Sequence, residues 1–100
     1  MMEAKTVLVR ISGFVQGVGF RAWTEREARA RGLRGWVRNR LNGDVEALFA
    51  GQAEDVEAMC AACWHGPQAA RVEKVEISEC GEDPRDLPGI GASFRQLATR

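Results

Sequence analysis

Residues 6–12 read Thr-Val-Leu-Val-Arg-Ile-Ser. Val7, Val9 and Ile11 recur at a period of two on one side, with Arg10 and Ser12 on the other, which is the pattern of a half-buried strand. Residues 13–19 form a loop punctuated by glycine. The spacing predicts a helix over residues 20–31, supported by two acid-first i,i+4 pairs, Glu25 with Arg29 and Glu27 with Arg31. Its apolar face is modest: Phe20, Trp23 and Ala28. Gly32 stands where a left-handed cap ends a helix. A second strand follows over residues 34–39. Asn42-Gly43 is a tight-turn signal, and residues 44–50 form a third strand with Val45, Ala47 and Phe49 on one face. The clearest helix covers residues 52–65. There Val56, Met59, Cys60, Cys63 and Trp64 make a core-facing stripe, stopped by Gly66-Pro67. Residues 70–79 form a fourth strand, with Val75 and Ile77 inward and Lys74, Glu76 and Ser78 outward. Residues 81–92 are rich in Gly, Pro and Asp and read as a surface loop, and residues 93–97 offer a short C-terminal edge strand.

The element order is β-α-β-β-α-β. The strands alternate rather than running apolar on both sides, so one sheet face is open and two helices cover the other. This is an α+β, ferredoxin-like sandwich with a four-stranded antiparallel sheet. A chain of 100 residues makes one domain spanning residues 1–100.

Composition narrows the function. The 14 basic and 14 acidic residues cancel. Non-specific nucleic-acid binding draws on a surplus of Lys and Arg, so no nucleic-acid partner is expected. No stretch approaches the apolar length that spans a bilayer, and residues 1–10 lack the apolar run of a signal peptide. Three cysteines, an odd number, argue for reduced thiols. A cytoplasmic monomer is expected.

The run Gly13-Phe14-Val15-Gln16-Gly17-Val18-Gly19-Phe20-Arg21 carries the candidate chemistry. It joins a strand to a helix, whose first N–H groups are unpaired and whose dipole favours an anion. Gly17 and Gly19 let the backbone turn its amides inward as a nest. Arg21 in the first turn opposes the dipole, and an anion between amides and guanidinium removes that conflict. The competing reading is a tight strand–helix turn with an exposed arginine. The run lacks the Lys-Ser/Thr ending of a P-loop. Asn39 is the second candidate. Asn is depleted in strands, and Asn42-Gly43 already supplies the turn. Its amide can hold a water by donating and accepting at once; the plainer reading is a turn residue.

These segments, with Gly32-Leu33-Arg34-Gly35-Trp36-Val37-Arg38-Asn39, Asn42-Gly43 and Val45-Glu46, resemble the acylphosphatase family in order and spacing. The similarity continues weakly through Gly66-Pro67, Ala70-Arg71-Val72 and Phe94. The resemblance implies a ferredoxin-like fold and hydrolysis of the carboxyl-phosphate bond of acyl phosphates. It implies that Arg21 binds the phosphoryl group together with backbone amides of Val15, Gln16, Gly17, Val18, Gly19 and Phe20. It implies that Asn39 positions the attacking water, and that neither metal nor cofactor is needed. Arg40 departs from the Thr or Leu of some members and is a candidate to alter substrate preference.

Other residues carry less. Cys60-Ala61-Ala62-Cys63 has a metal or redox spacing, but both cysteines fall on the buried stripe. His65, at a helix C-terminus, suits a charge or cap role. Trp23, Trp36 and Trp64 read as core or semi-core. Two other functions compete. One is an RNA-binding module using the open sheet face, which here carries mixed charges and no aromatic RNP pattern. The other is a carbamoyl-phosphate-binding domain of a larger maturation enzyme; with no further domain after residue 100, a free-standing protein is favoured.

Overall fold

The computed structural model describes residues 3–80, 91 and 93–100. The elements are β1 (Ala4–Phe14), α1 (Phe20–Ala30), β2 (Arg34–Asn39), β3 (Val45–Gln52), α2 (Ala53–Cys63), β4 (Arg71–Glu79) and β5 (Arg95–Gln96). They form one five-stranded sheet in the order β4-β1-β3-β2-β5. The first four strands pair antiparallel, as the alternating pattern implies. β5 falls inside the expected C-terminal edge strand, and it runs parallel to β2, which makes the sheet mixed. The surface loop read over residues 81–92 lies, apart from Gly91, outside the described residues.

The period-two stripes build the core. Val7, Val9 and Ile11 pair in register with Phe49, Ala47 and Val45, and all six are buried. β1 runs past both ends of its predicted span, and its ladder with β4 shifts register between Ser12 and Gly13. The helices close over this face. α2 contributes Val56, Met59, Cys60 and Cys63, all buried. α1 contributes Phe20, Thr24 and Ala28. Thr24 was not legible as a core residue from its type. Its hydroxyl donates to the Phe20 carbonyl at 2.8 Å, which lets its methyl side pack without an orphaned oxygen. Trp23 lies to one side, partly buried edge-on against Phe20 at 5.3 Å.

α1 ends as predicted. Gly32 has φ of 70°. The Leu33 amide donates back to Ala28 and the Gly32 amide to Arg29, the paired bonds of a Schellman cap. Both predicted ion pairs form, Arg29–Glu25 at 3.4 Å and Arg31–Glu27 at 3.0 Å.

Two inward assignments are corrected. Trp64 is 50% exposed and Ile77 is 49% exposed. At 3.6 residues per turn, position 64 lies about 80° round the helix from position 56, at the margin of the stripe. It also follows the last helical residue, Cys63. Ile77 sits on β4, an edge strand of the described sheet, where the helical layer ends. The two residues flank one shallow apolar groove with Val7, Val56 and Cys60.

Candidate active site

Sheet topology brings the two candidate segments together. β1 and β2 are both antiparallel to β3, which lies between them. They are therefore parallel to each other, and their C-terminal ends emerge at the same end of the sheet. The loop after β1 leads into α1, and Asn39 closes β2. β5 is parallel to β2 and brings Gln96 to that end as well. The result is a hollow of about 160 Å³ lined by Val15, Gln16, Gly17, Gly19, Phe20, Arg21, Ala22, Asn39 and Gln96.

The loop is anchored at both ends and bent between them. Val15 and Phe20 are buried in the core. Gly17 and Gly19 have φ of 76° and 79°, a region L side chains rarely enter. A Cβ would meet nothing within 4 Å at either, so backbone conformation rather than crowding selects glycine there. Gly19 is the N-cap of α1 and supplies no capping side chain, and the first turn holds no acidic residue. Trp23 makes the first intrahelical bond, its N–H donating to the Gly19 carbonyl at 3.0 Å. The N–H groups just before it have no helical acceptor and carry the positive end of the helix dipole.

Arg21 projects from this turn and is half-buried. Among the described residues several arginines are held by carboxylates: Arg38 meets Glu46 at 2.8 Å, with Arg10 and Arg40 on the same carboxylate. Among the described residues, neither the Arg21 guanidinium nor the Asn39 carboxamide has a hydrogen-bond or ion-pair partner. The Asn39 backbone is fixed nonetheless. It pairs with Val45, and its carbonyl accepts from the Arg100 amide at 3.1 Å. The hollow thus combines uncapped amides with a guanidinium and a carboxamide that have no partner among the described residues, a set suited to a small oxyanion and a water.

Of the six loop residues singled out in the sequence, five line the hollow. Val18 does not; it packs against the core. Arg40 is not among the lining residues either, and its guanidinium turns to Glu46 at 3.6 Å. Sequence reasoning missed Ala22, Gln96 and the side chain of Gln16. The Gln16 carboxamide bonds the Arg40 and Asp44 carbonyls, 24 and 28 residues away, so no local pattern signals it. The Cys60 and Cys63 thiols lie in the core, where burial pushes their pKa values up to about 11 and about 12. His65 is exposed and does not line the hollow. Among the described residues no group of three or more His, Cys, Asp or Glu side chains is arranged to hold a metal ion.

The acylphosphatase family model matches residues 7–95, nearly the whole chain and both site segments. The chain belongs to the acylphosphatase family. It is 57% identical over 86 residues to the acylphosphatase of Rhodospirillum rubrum, covering 86% of this chain and 92% of that one. It is 49% identical over 98 residues to the acylphosphatase of Bradyrhizobium diazoefficiens, covering 98% of this chain and 99% of that one. The acylphosphatase structure from Coxiella burnetii superposes with a TM-score of 0.83 at 32% identity, over 94% of this chain and 93% of that one. An acylphosphatase-family chain of this kind is a hydrolase of acid anhydrides, and its fold is the ferredoxin-like one built above.

Proposed function

We propose that this chain hydrolyses the carboxyl-phosphate bond of acyl phosphates, with Arg21 and the amides of residues 15–20 binding the phosphoryl group and Asn39 orienting the attacking water. The observation that carries the reading is the shared hollow. Arg21 and Asn39, both without partners among the described residues, line it beside an uncapped helix N-terminus.

The chemistry asks for little more. The leaving group is a carboxylate whose conjugate acid has a pKa of about 4, so it departs at neutral pH without a proton donor. Phosphoryl transfer to water then depends on positioning and charge stabilisation. The guanidinium fork and the amides hold the equatorial oxygens and tighten as charge redistributes. Asn39 accepts from and donates to one water and holds it opposite the leaving oxygen. A phosphate oxygen of the substrate takes the water's proton, which fits a hollow that, among the described residues, is lined by no carboxylate or histidine.

The same reading takes residues 1–100 as one domain acting as a cytoplasmic monomer on a small molecule. All three cysteines are free thiols, which agrees with a reducing compartment. On the open sheet face Arg10, Arg38 and Arg40 share Glu46, and Lys74 pairs with Glu76 at 2.9 Å. That internal pairing leaves few cations for a nucleic-acid backbone.

Benzoyl phosphate hydrolysis with EDTA present, by the parent and by Arg21→Ala, tests the reading. Fast turnover by the parent and a fall of roughly 100-fold or more in the variant are expected, the scale of losing an oxyanion contact. A folded parent that leaves benzoyl phosphate intact, or an Arg21→Ala variant at the parental rate, would sink it.

A further inference from the structure

Gln16 has the only polar side chain between residues 15 and 20. Its amide nitrogen donates to the Arg40 carbonyl at 2.8 Å and to the Asp44 carbonyl at 2.9 Å. An amide nitrogen carries two hydrogens, and both are used. The two acceptors bracket the hairpin turn that begins immediately after Asn39. That turn does not need Gln16 to close. The Arg40 carbonyl already accepts from the Gly43 amide at 3.2 Å, and the Asp44 carbonyl from the Arg40 amide at 2.8 Å. Asn42 adds its own bond to the Asp44 amide at 3.0 Å. The Gln16 side chain is thus an added tie between two otherwise complete segments. β1 and β2 are not adjacent in the sheet, so no ladder bonds join the loop to the strand end that carries Asn39.

We propose that Gln16 is a positioning residue whose side chain sets the separation between the anion-holding loop and the Asn39 carboxamide. This rests on the roles given above to Arg21 and Asn39. The loop fixes the phosphorus and Asn39 fixes the water, so in-line attack requires the two supports to keep one spacing. A displacement of about 1 Å far from the reacting bond can cost roughly 100-fold in rate. Gln16 acts on rate through that spacing. It leaves the grip on phosphate to Arg21 and the amides, whose bend is set by Gly17 and Gly19.

A double-mutant cycle tests this. Gln16→Met keeps the side-chain length and removes both donors. The turnover number and the inhibition constant of inorganic phosphate are measured for the parent, Gln16→Met, Asn39→Ala and the double variant. Gln16→Met is expected to lower turnover roughly 10- to 100-fold with phosphate inhibition little changed. In the Asn39→Ala background it is expected to change turnover by less than about twofold, because residues acting through one contact are not additive. Gln16→Ala, which removes the donors without a thioether, should give the same pattern. An equal fall in both backgrounds overturns the proposal. So does phosphate affinity that falls as far as turnover. Parental turnover by Gln16→Met beside an impaired Asn39→Ala sinks the role of Gln16 alone. Parental turnover by Asn39→Ala sinks the water assignment with it.

Discussion

Cys60 and Cys63 are three residues apart, a spacing that means metal or redox chemistry in some chains and core packing in others. Their surroundings decide the matter. Both are buried among Val56 and Met59, and burial raises their thiol pKa values from 9.0 to about 11 and about 12. At pH 8 both stay protonated and inert, whereas Cys80 is only half-buried. A thiol reagent should therefore modify Cys80 first in the native protein and all three after unfolding. Fast native labelling of all three would contradict the buried assignment. The same shifts couple to stability. Both folded-state values exceed the unfolded ones, so the folded state holds more protons between them. Stability is fully present below about pH 9 and falls as pH rises toward 11 and 12, by about 1.4 kcal/mol per pH unit for each thiol at most. Arg21 and Asn39 stand out in the sequence as candidates because they break local rules, a cation at the positive end of a helix and an Asn in a strand. Gln16 breaks none, and its partners are remote in sequence.

The two helices show where periodicity informs and where it stops. The stripe on α2 was readable to Cys63, and its members are buried. It failed at Trp64, which the sequence pattern includes and the helix geometry turns aside. Met59 is fully buried, so Met59→Ala should destabilise by about 2–5 kcal/mol through lost burial and the cavity left behind. Trp64→Ala should cost far less, since half of its surface is already in water. Urea midpoints for the two variants check the contrast, and equal losses would mean that Trp64 does belong to the core. On α1 the sequence named Trp23 where Thr24 is the buried residue. A threonine becomes a core residue only when its hydroxyl finds a backbone acceptor, and that bond depends on the helix already being formed.

At the scale of the whole molecule, the four alternating strands and two helices were legible as a ferredoxin-like sandwich. The parallel edge strand's direction was not, because two residues, Arg95 and Gln96, carry no period. Its anchor is instead Phe94, fully buried and stacked on Phe49 with ring centroids 5.6 Å apart. The Arg29 side chain holds the Phe94 carbonyl at 3.0 Å, which ties this segment to α1. Beyond it the Leu97 and Arg100 amides donate to Val37 and Asn39. The C-terminal segment thus braces the strand end that carries the candidate water-binding group. Phe94→Ala should cost about 3–5 kcal/mol of stability and lower turnover as well, because it loosens the brace beside Asn39. A variant destabilised to that degree with unchanged turnover would show that the brace and the site are independent.

The central claim is a division of labour in one hollow, with Arg21 holding the anion and Asn39 the water. Inorganic phosphate inhibition, measured beside turnover in Arg21→Ala and Asn39→Ala, reads that division directly. Arg21→Ala should lose both, its phosphate affinity falling by roughly 10- to 100-fold for a charge-assisted bond worth about 1.5–3 kcal/mol. Asn39→Ala should lose turnover and keep phosphate inhibition near the parental value. Phosphate that binds Arg21→Ala as well as it binds the parent, or an Asn39→Ala variant that turns over at the parental rate, would contradict the account.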